Sequence, residues 1–500
     1  MRIVLLILIA SLCLACATPK KENPYQLEQF ELELDQLKNY FQIPGMAVLV
    51  ENGNGVVYEN YFGVANLESQ EPIDSNTLFP IASITKVYAA TRLFQLVEEG
   101  RLSLGQSLSD FIVTSYPDSI LVKHVLSHTS QGELGKHFYY SSRFSHLTQV
   151  IEAAGRASFE EQMQKNLFDP LGLEHTHLLK DSAQLANSNW NLASPYLFEG
   201  SLSSGFIDFG YSASAGIVSN ARDLASFCQA LEEGSLLSEA SQKQMQQEFY
   251  PDAPYGMGMF CQKVEGVQLY WSYGQYDCYS SLYLNIPSKK LRLILLANNN
   301  LMSDPARLIY GDIRYSLFAM CFLKNFLFHD ESAPITEEAE NIDGKLLAQS
   351  TFYRDQLLAQ ALAESFLARG NSARANESAR ILEMVFENYP EVENYPTLSL
   401  LHNLSFLNTI AFHYDLPPFY QFDDQVLRIG TKLLTKDAQN PYANLYMGNH
   451  YLSKGDTVTA KKHFQTILST PNFTRRWYHQ EAKNQLLNIT VNKASNREEE

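Results

Sequence analysis

Strand signals crowd the two ends of the first 330 or so residues, with helical patterns between them, so any sheet must be assembled from segments far apart in the chain. From Met46 to Tyr61, MAVLVENGNGVVYENY gives two β-rich runs around an Asn-Gly-containing turn, which reads as a hairpin. PYGMGMFCQKV (254–264), VQLYWSYGQ (267–275) and YSSLYLNIPSKKLRLILLANN (279–299) read as antiparallel strands, broken at Glu265-Gly266 and at Pro287-Ser288-Lys289-Lys290. Residues 120–175 are mainly helical, and a small-residue loop leads into an amphipathic helix within 213–238. The expectation is an α+β domain over 30–328, its sheet joining the N-terminal hairpin to the later strands and its last helix, DIRYSLFAMCFLKNFLF, covering that sheet.

Residues 329–344, HDESAPITEEAENIDG, are acidic and polar with a proline, and read as a linker. Beyond it strand signals vanish and helix pairs take over across 345–490, ahead of a polar tail at 491–500. In NLYMGNHYLSKGDTVTAKKHFQTILSTP, Gly448, Tyr451, Ala460, Phe464 and Pro471 follow the spacing of a tetratricopeptide repeat. Partial matches in 354–390 and 399–437 predict an all-α domain of about three units, a potential surface for a protein partner; an unrelated helical bundle is the alternative.

The first 16 residues have one basic residue, an apolar run of export-signal length and small residues at the end, followed by a tether over 17–29. Leu14-Ala15-Cys16 fits a bacterial lipoprotein processing site, although Cys13 is unusual there, so the expectation is a lipid on Cys16 and a place on the periplasmic side of a bacterial envelope membrane. Cys228, Cys261, Cys278 and Cys321 are scattered without metal-ligand spacing and read as buried apolar residues rather than a disulfide framework. The net charge of −17 is spread along the chain, and no basic cluster is interleaved with aromatics, which argues against nucleic acid as a partner.

One helix carries groups that its core does not require. PIASITKVYAATRLFQLVEEGRLSL (80–104) is apolar on most faces and ends at Gly100, yet its first turn holds Ser83 and Lys86. Three residues apart, they share a face and can share a hydrogen bond. Burying the lysine favours its neutral form, which can accept a proton from serine. Taken alone, S-x-x-K is a short pattern that chance supplies.

The flanking segments narrow the reading. TLFPIAS before the pair, EEGRLSLGQSLSDFI and VKHVLSHTS after it, then QKNLFDPLGLEHTHL (164–178) and AGIVSNARDL (215–224), together resemble the serine β-lactamase and penicillin-binding-protein family in its class C and esterase-like branch. The resemblance covers about 30–328 and implies that Ser83 is a nucleophile forming an acyl-enzyme, that Lys86 takes or relays its proton, and that no metal or cofactor is needed. The family's Tyr-x-Asn falls in HFYYSSRFSHLTQVIE, in one of two registers. Phe138-x-Tyr140-Ser141-Ser142 selects Tyr140, the preferred reading, with Ser142 in place of the asparagine; counting back from the helix selects Tyr139. The Lys-Thr-Gly or His-x-Gly motif falls on Ser272-Tyr273-Gly274: the glycine that lets substrate lie close to the strand is kept and the cation is lost, with no Lys or Arg in 264–288. The backbone N–H groups of Gln275 and Ser83 would form the oxyanion hole. His128 is read as satisfying a backbone group. The implied activity is cleavage of a small-molecule or peptidoglycan-related ester or amide. The rival is a catalytically degenerate envelope scaffold or β-lactam-binding sensor, motivated by the two altered motifs.

Overall fold

A computed structural model describes residues 24–368, 371–413, 422–470, 473 and 477–498. Cys16, the expected lipidation site, lies outside the described residues. The central sheet has seven strands: β1 (Gly45–Asn52), β2 (Gly55–Asn66), β3 (Glu71–Pro72), β4 (Phe260–Val264), β5 (Val267–Gln275), β6 (Ser280–Ile286) and β7 (Leu291–Ala297), in spatial order β3-β2-β1-β7-β6-β5-β4. β1 pairs antiparallel with β7, Met46 opposite Ala297, so the two ends of the domain meet in mid-sheet. The segment 254–259, read above as strand, is irregular, and only Phe260–Val264 pairs with β5. The four cysteines of the body are buried and unbridged.

Period-two alternation divides each central strand between two cores. Ala47 and Leu49 of β1 and Ile294 and Leu296 of β7 face one core, with α2 (Thr85–Glu98), α3 (Leu147–Gly155) and α4 (Ala221–Glu232). Val48 and Val50, with Leu293 and Leu295, face the other, under α1 (Leu27–Tyr40) and α5 (Leu317–Phe326). α1 and α5 are also joined by an ion pair between the buried Glu33 and Lys324. Buried on both faces, the sheet is a rigid platform, and residues at the ends of β5 and α2 have little freedom to move.

Among the described residues, the second domain has three successive helix pairs, α6 (Thr351–Leu367) with α7 (Ser372–Asn388), α8 (Tyr395–His413) with α9 (Asp423–Lys436), and α10 (Pro441–Ser453) with α11 (Thr457–Ser469). A last helix, α12 (Trp477–Glu498), runs past residue 490, where the sequence reading ended the domain. In the third pair, the tetratricopeptide-like spacing has a physical cause: a Cβ at Gly448 would lie 2.5 Å from the Phe464 ring, so only glycine lets the two helices approach.

The domain is not carried on a loose tether. Ile335 is fully buried, and the side-chain amides of Gln356 and Gln360 donate to the carbonyls of Pro334 and Glu337 at 2.6 Å, which straps the acidic segment along α6. Phe352 and Phe366 of α6 belong to the same core as α1 and α5. The acidic side chains set the segment's composition, but its isoleucines fix its position.

Candidate active site

Ser83 sits in a 3-10 turn, Ala82–Ile84, immediately before α2, rather than in the α-helix itself. Ala82 has φ = +44°, a left-handed conformation that costs a residue with a Cβ and persists only when its surroundings enforce it. Those surroundings are specific. Ile81 N–H donates to Ile217 O at 2.9 Å, and the buried Ser281 hydroxyl donates to Ile81 O at 2.9 Å. The turn leaves Ser83 partly exposed while Lys86, one turn on, is only 4% exposed.

Lys86 Nζ donates to Ser83 Oγ at 2.8 Å and to Ser214 O at 2.9 Å, and it lies 4.9 Å from the centroid of the Tyr140 ring. The small-residue loop before α4 thus supplies a carbonyl that aims the lysine. Ala213 N–H donates to Thr148 Oγ1 at 2.8 Å, which ties that loop to α3.

The two tyrosine registers separate cleanly. His128, itself at φ = +57°, accepts at both ends of this short extended stretch: Tyr139 N–H donates to its carbonyl at 2.9 Å and Ser141 N–H to its Nδ1 at 3.0 Å. Neighbouring side chains of an extended chain point opposite ways. Tyr140 therefore stacks on His128, ring centroids 4.4 Å apart, beside Lys86, whereas Tyr139 turns into the helical domain and donates a hydrogen bond to Asp437. Burial, reinforced by the Asp437 charge, holds the Tyr139 phenol well above its ordinary pKa. Ser142 is exposed, and its carbonyl accepts from Ser145 Oγ at 2.8 Å.

At β5, the packing of the protein itself requires Gly274. A Cβ there would lie 2.1 Å from Ile81 O and 2.2 Å from Ser281 Oγ, so the glycine lets the strand meet the Ser83 turn. Gly274→Ala is expected to destabilise the fold by about 1–3 kcal/mol and to displace the turn, seen as a lower Tm together with weakened labelling of Ser83 by a serine-reactive probe. An unchanged Tm and unchanged labelling would contradict that role.

Tyr276 N–H donates to Tyr279 O at 2.9 Å and closes the β5–β6 hairpin. By the alternation of an antiparallel ladder, Gln275, one residue out of phase with that bond, turns its N–H away from β6. Gln275, Ser83, Tyr140, Tyr273 and Tyr276 line one cavity of about 580 Å³. Ser272 is buried at 4% exposure opposite Tyr283 and is not among the described residues lining that cavity; nor is Ser142.

Sequence reasoning missed the rest of the cavity wall. Asp304, Arg307 and Tyr310 come from the segment after β7, and His402, Asn403, Tyr442, Tyr446 and Trp477 come from the helical domain. Arg307 pairs with Asp304 at 3.1 Å. No local motif marks these residues: those after β7 come near Ser83 through the fold of the first domain, and those of the helical domain only when the two domains pack. A cation is therefore present in the cavity although none occurs between 264 and 288.

A sheet closed by its two chain ends, with a serine and a buried lysine at the start of the central helix, defines a β-lactamase/transpeptidase-like fold. The Beta-lactamase family profile matches residues 34–313, more than half of the chain, and the protein belongs to that family. It is 26% identical over 188 residues to a β-lactamase of Providencia stuartii, covering 31% of this chain and 48% of that protein. It is 22% identical over 315 residues to a D-aminopeptidase of Gluconobacter oxydans, covering 54% of this chain and 59% of the relative. The chain thus spans about half the length of these relatives. The octameric penicillin-binding protein homologue from Pyrococcus abyssi shares the fold, with a TM-score of 0.53, 22% identity, and coverage of 60% of this chain and 77% of that one.

Proposed function

We propose that the protein is a serine hydrolase that cleaves an ester or amide through an acyl-enzyme on Ser83. The observation that carries this reading is the 2.8 Å contact between Lys86 Nζ and the partly exposed Ser83 Oγ at the mouth of a cavity also lined by Tyr140. In the first step Ser83 Oγ bonds to the substrate carbonyl carbon while its proton passes to the Lys86–Tyr140 pair. The same pair returns that proton to the leaving oxygen or nitrogen as its bond to carbon breaks. Water then repeats the sequence on the acyl-enzyme, releasing the acid and restoring the Ser83 hydroxyl. The N–H groups of Ser83 and Gln275 supply oxyanion stabilisation, the kind of contribution whose loss costs about 10²–10³ in kcat.

The charges in the cavity point to a neutral substrate. Among the described residues its charged lining groups are Asp277, Asp304 and Arg307, two carboxylates against one guanidinium, and the guanidinium is already paired. A single charge-assisted hydrogen bond to a substrate carboxylate is worth about 1.5–3 kcal/mol, and Ser272 supplies none. Neutral short-chain esters are therefore expected to turn over faster than penicillins or peptides ending in a free D-alanine carboxylate. Steady-state kinetics on purified protein decide this. Faster turnover of a β-lactam than of simple esters would show that another residue supplies the charge and would overturn the neutral-substrate reading.

A further inference from the structure

Part of the wall around Ser83 belongs to the helical domain, and its position is fixed by interdomain contacts. Tyr310 and Tyr446 share a hydrogen bond between hydroxyls at 2.7 Å, Tyr315 Oη donates to Asn394 Oδ1 at 2.8 Å, and Arg314 pairs with Asp355 at 3.1 Å. Tyr139 and Asp437 add a further bond beside Tyr140. With α6 sunk in the hydrolase core, the two domains form a continuous packed unit.

The chemistry of this wall is aromatic. The His402 ring stacks on Tyr446 with centroids 4.6 Å apart and 28° between planes. Burial, with the Arg307 charge nearby, lowers the His402 pKa to about 4, so at neutral pH it presents an uncharged flat ring. Trp477, at the start of α12, lines the same cavity and is 53% exposed, which leaves part of its ring open to a bound group. Rings of this kind bind flat apolar groups by offset or edge contacts.

We propose that the helical domain is the specificity-determining half of the site, and that His402, Tyr446 and Trp477 bind an aromatic group carried by the ester or amide substrate. The assignment rests on the hydrolase reading above. It gives the domain a role within the reaction and accounts for the absence of this wall from any local motif around Ser83.

The test uses the full chain and two pairs of esters followed by acid release. Ethyl 4-phenylbutyrate against ethyl acetate probes the acyl side, and 3-phenylpropyl acetate against propyl acetate probes the alcohol side. In one of the two pairs the aromatic ester is expected to have the higher kcat/KM by about tenfold or more, equivalent to about 1.4 kcal/mol. His402→Ala and Trp477→Ala should each reduce that preference by several-fold, through KM rather than kcat. Trp477 is largely at the surface, so its replacement separates lost recognition from lost folding. Turnover without an aromatic preference in either pair, or a preference that survives both substitutions, would overturn the assignment while leaving the hydrolase reading standing. No turnover of any ester, together with no labelling of Ser83, would overturn the hydrolase reading, and this proposal with it.

Discussion

Ser83→Ala is expected to lower ester turnover by roughly 10⁴-fold or more, the scale on which removal of a nucleophile acts in serine hydrolases. Lys86→Ala should cost about 10²–10⁴ in kcat, the range of a positioned general base, with little change in KM. The difference between the two has a structural origin. Ser83 would form the covalent bond, whereas Lys86 reaches it through one 2.8 Å contact and is itself aimed by Ser214 O. Because Lys86 is buried, its replacement by alanine also leaves a cavity and removes the donor to that carbonyl, so the thermal midpoint of each variant should be measured beside its kinetics. Ser83→Ala with turnover equal to wild type would refute the nucleophile assignment.

The second large effect distinguishes two adjacent tyrosines. Tyr140→Phe removes only a hydroxyl, from the ring that lies beside Lys86, and should reduce kcat by about 10²–10⁴ with an unchanged Tm. Tyr139→Phe removes the hydroxyl that donates to the buried Asp437, and should destabilise the protein by about 1–3 kcal/mol while kcat for a small ester at low temperature changes far less. Stopped-flow acylation and thermal melts on the two variants supply both readouts. Loss of acylation on Tyr139→Phe with normal rates for Tyr140→Phe would reverse the assignment.

The sheet was legible in the sequence because its strands carry period-two apolar patterns strong enough to mark both faces, and because turn residues separate them. The pairing of β1 with β7 followed from where those segments lie in the chain. The Ser83 and Lys86 pair was legible for a similar reason: three-residue spacing on a helix is a local fact. What was not legible depends on direction or on distant packing. Sequence alone left Tyr139 and Tyr140 open, because the choice rests on how His128, at positive φ, grips the stretch between them. The contact between Gly274 and Ile81 O was not legible either, because it depends on how β5 meets the Ser83 turn. Arg307 and the helical-domain wall carry no sequence signal of function, since helix-pair periodicity reports only the core of that domain. The linker reading followed composition, whereas two well-placed isoleucines and the amides of α6 decided its conformation.

Covalent attack by Ser83 is read by treating the protein with a fluorophosphonate and mapping the adduct by peptide mass spectrometry. One stoichiometric adduct is expected, on the peptide containing Ser83, that is lost in Ser83→Ala and strongly slowed in Lys86→Ala. An unlabelled protein, or an adduct on another serine that persists in Ser83→Ala, would contradict attack by Ser83.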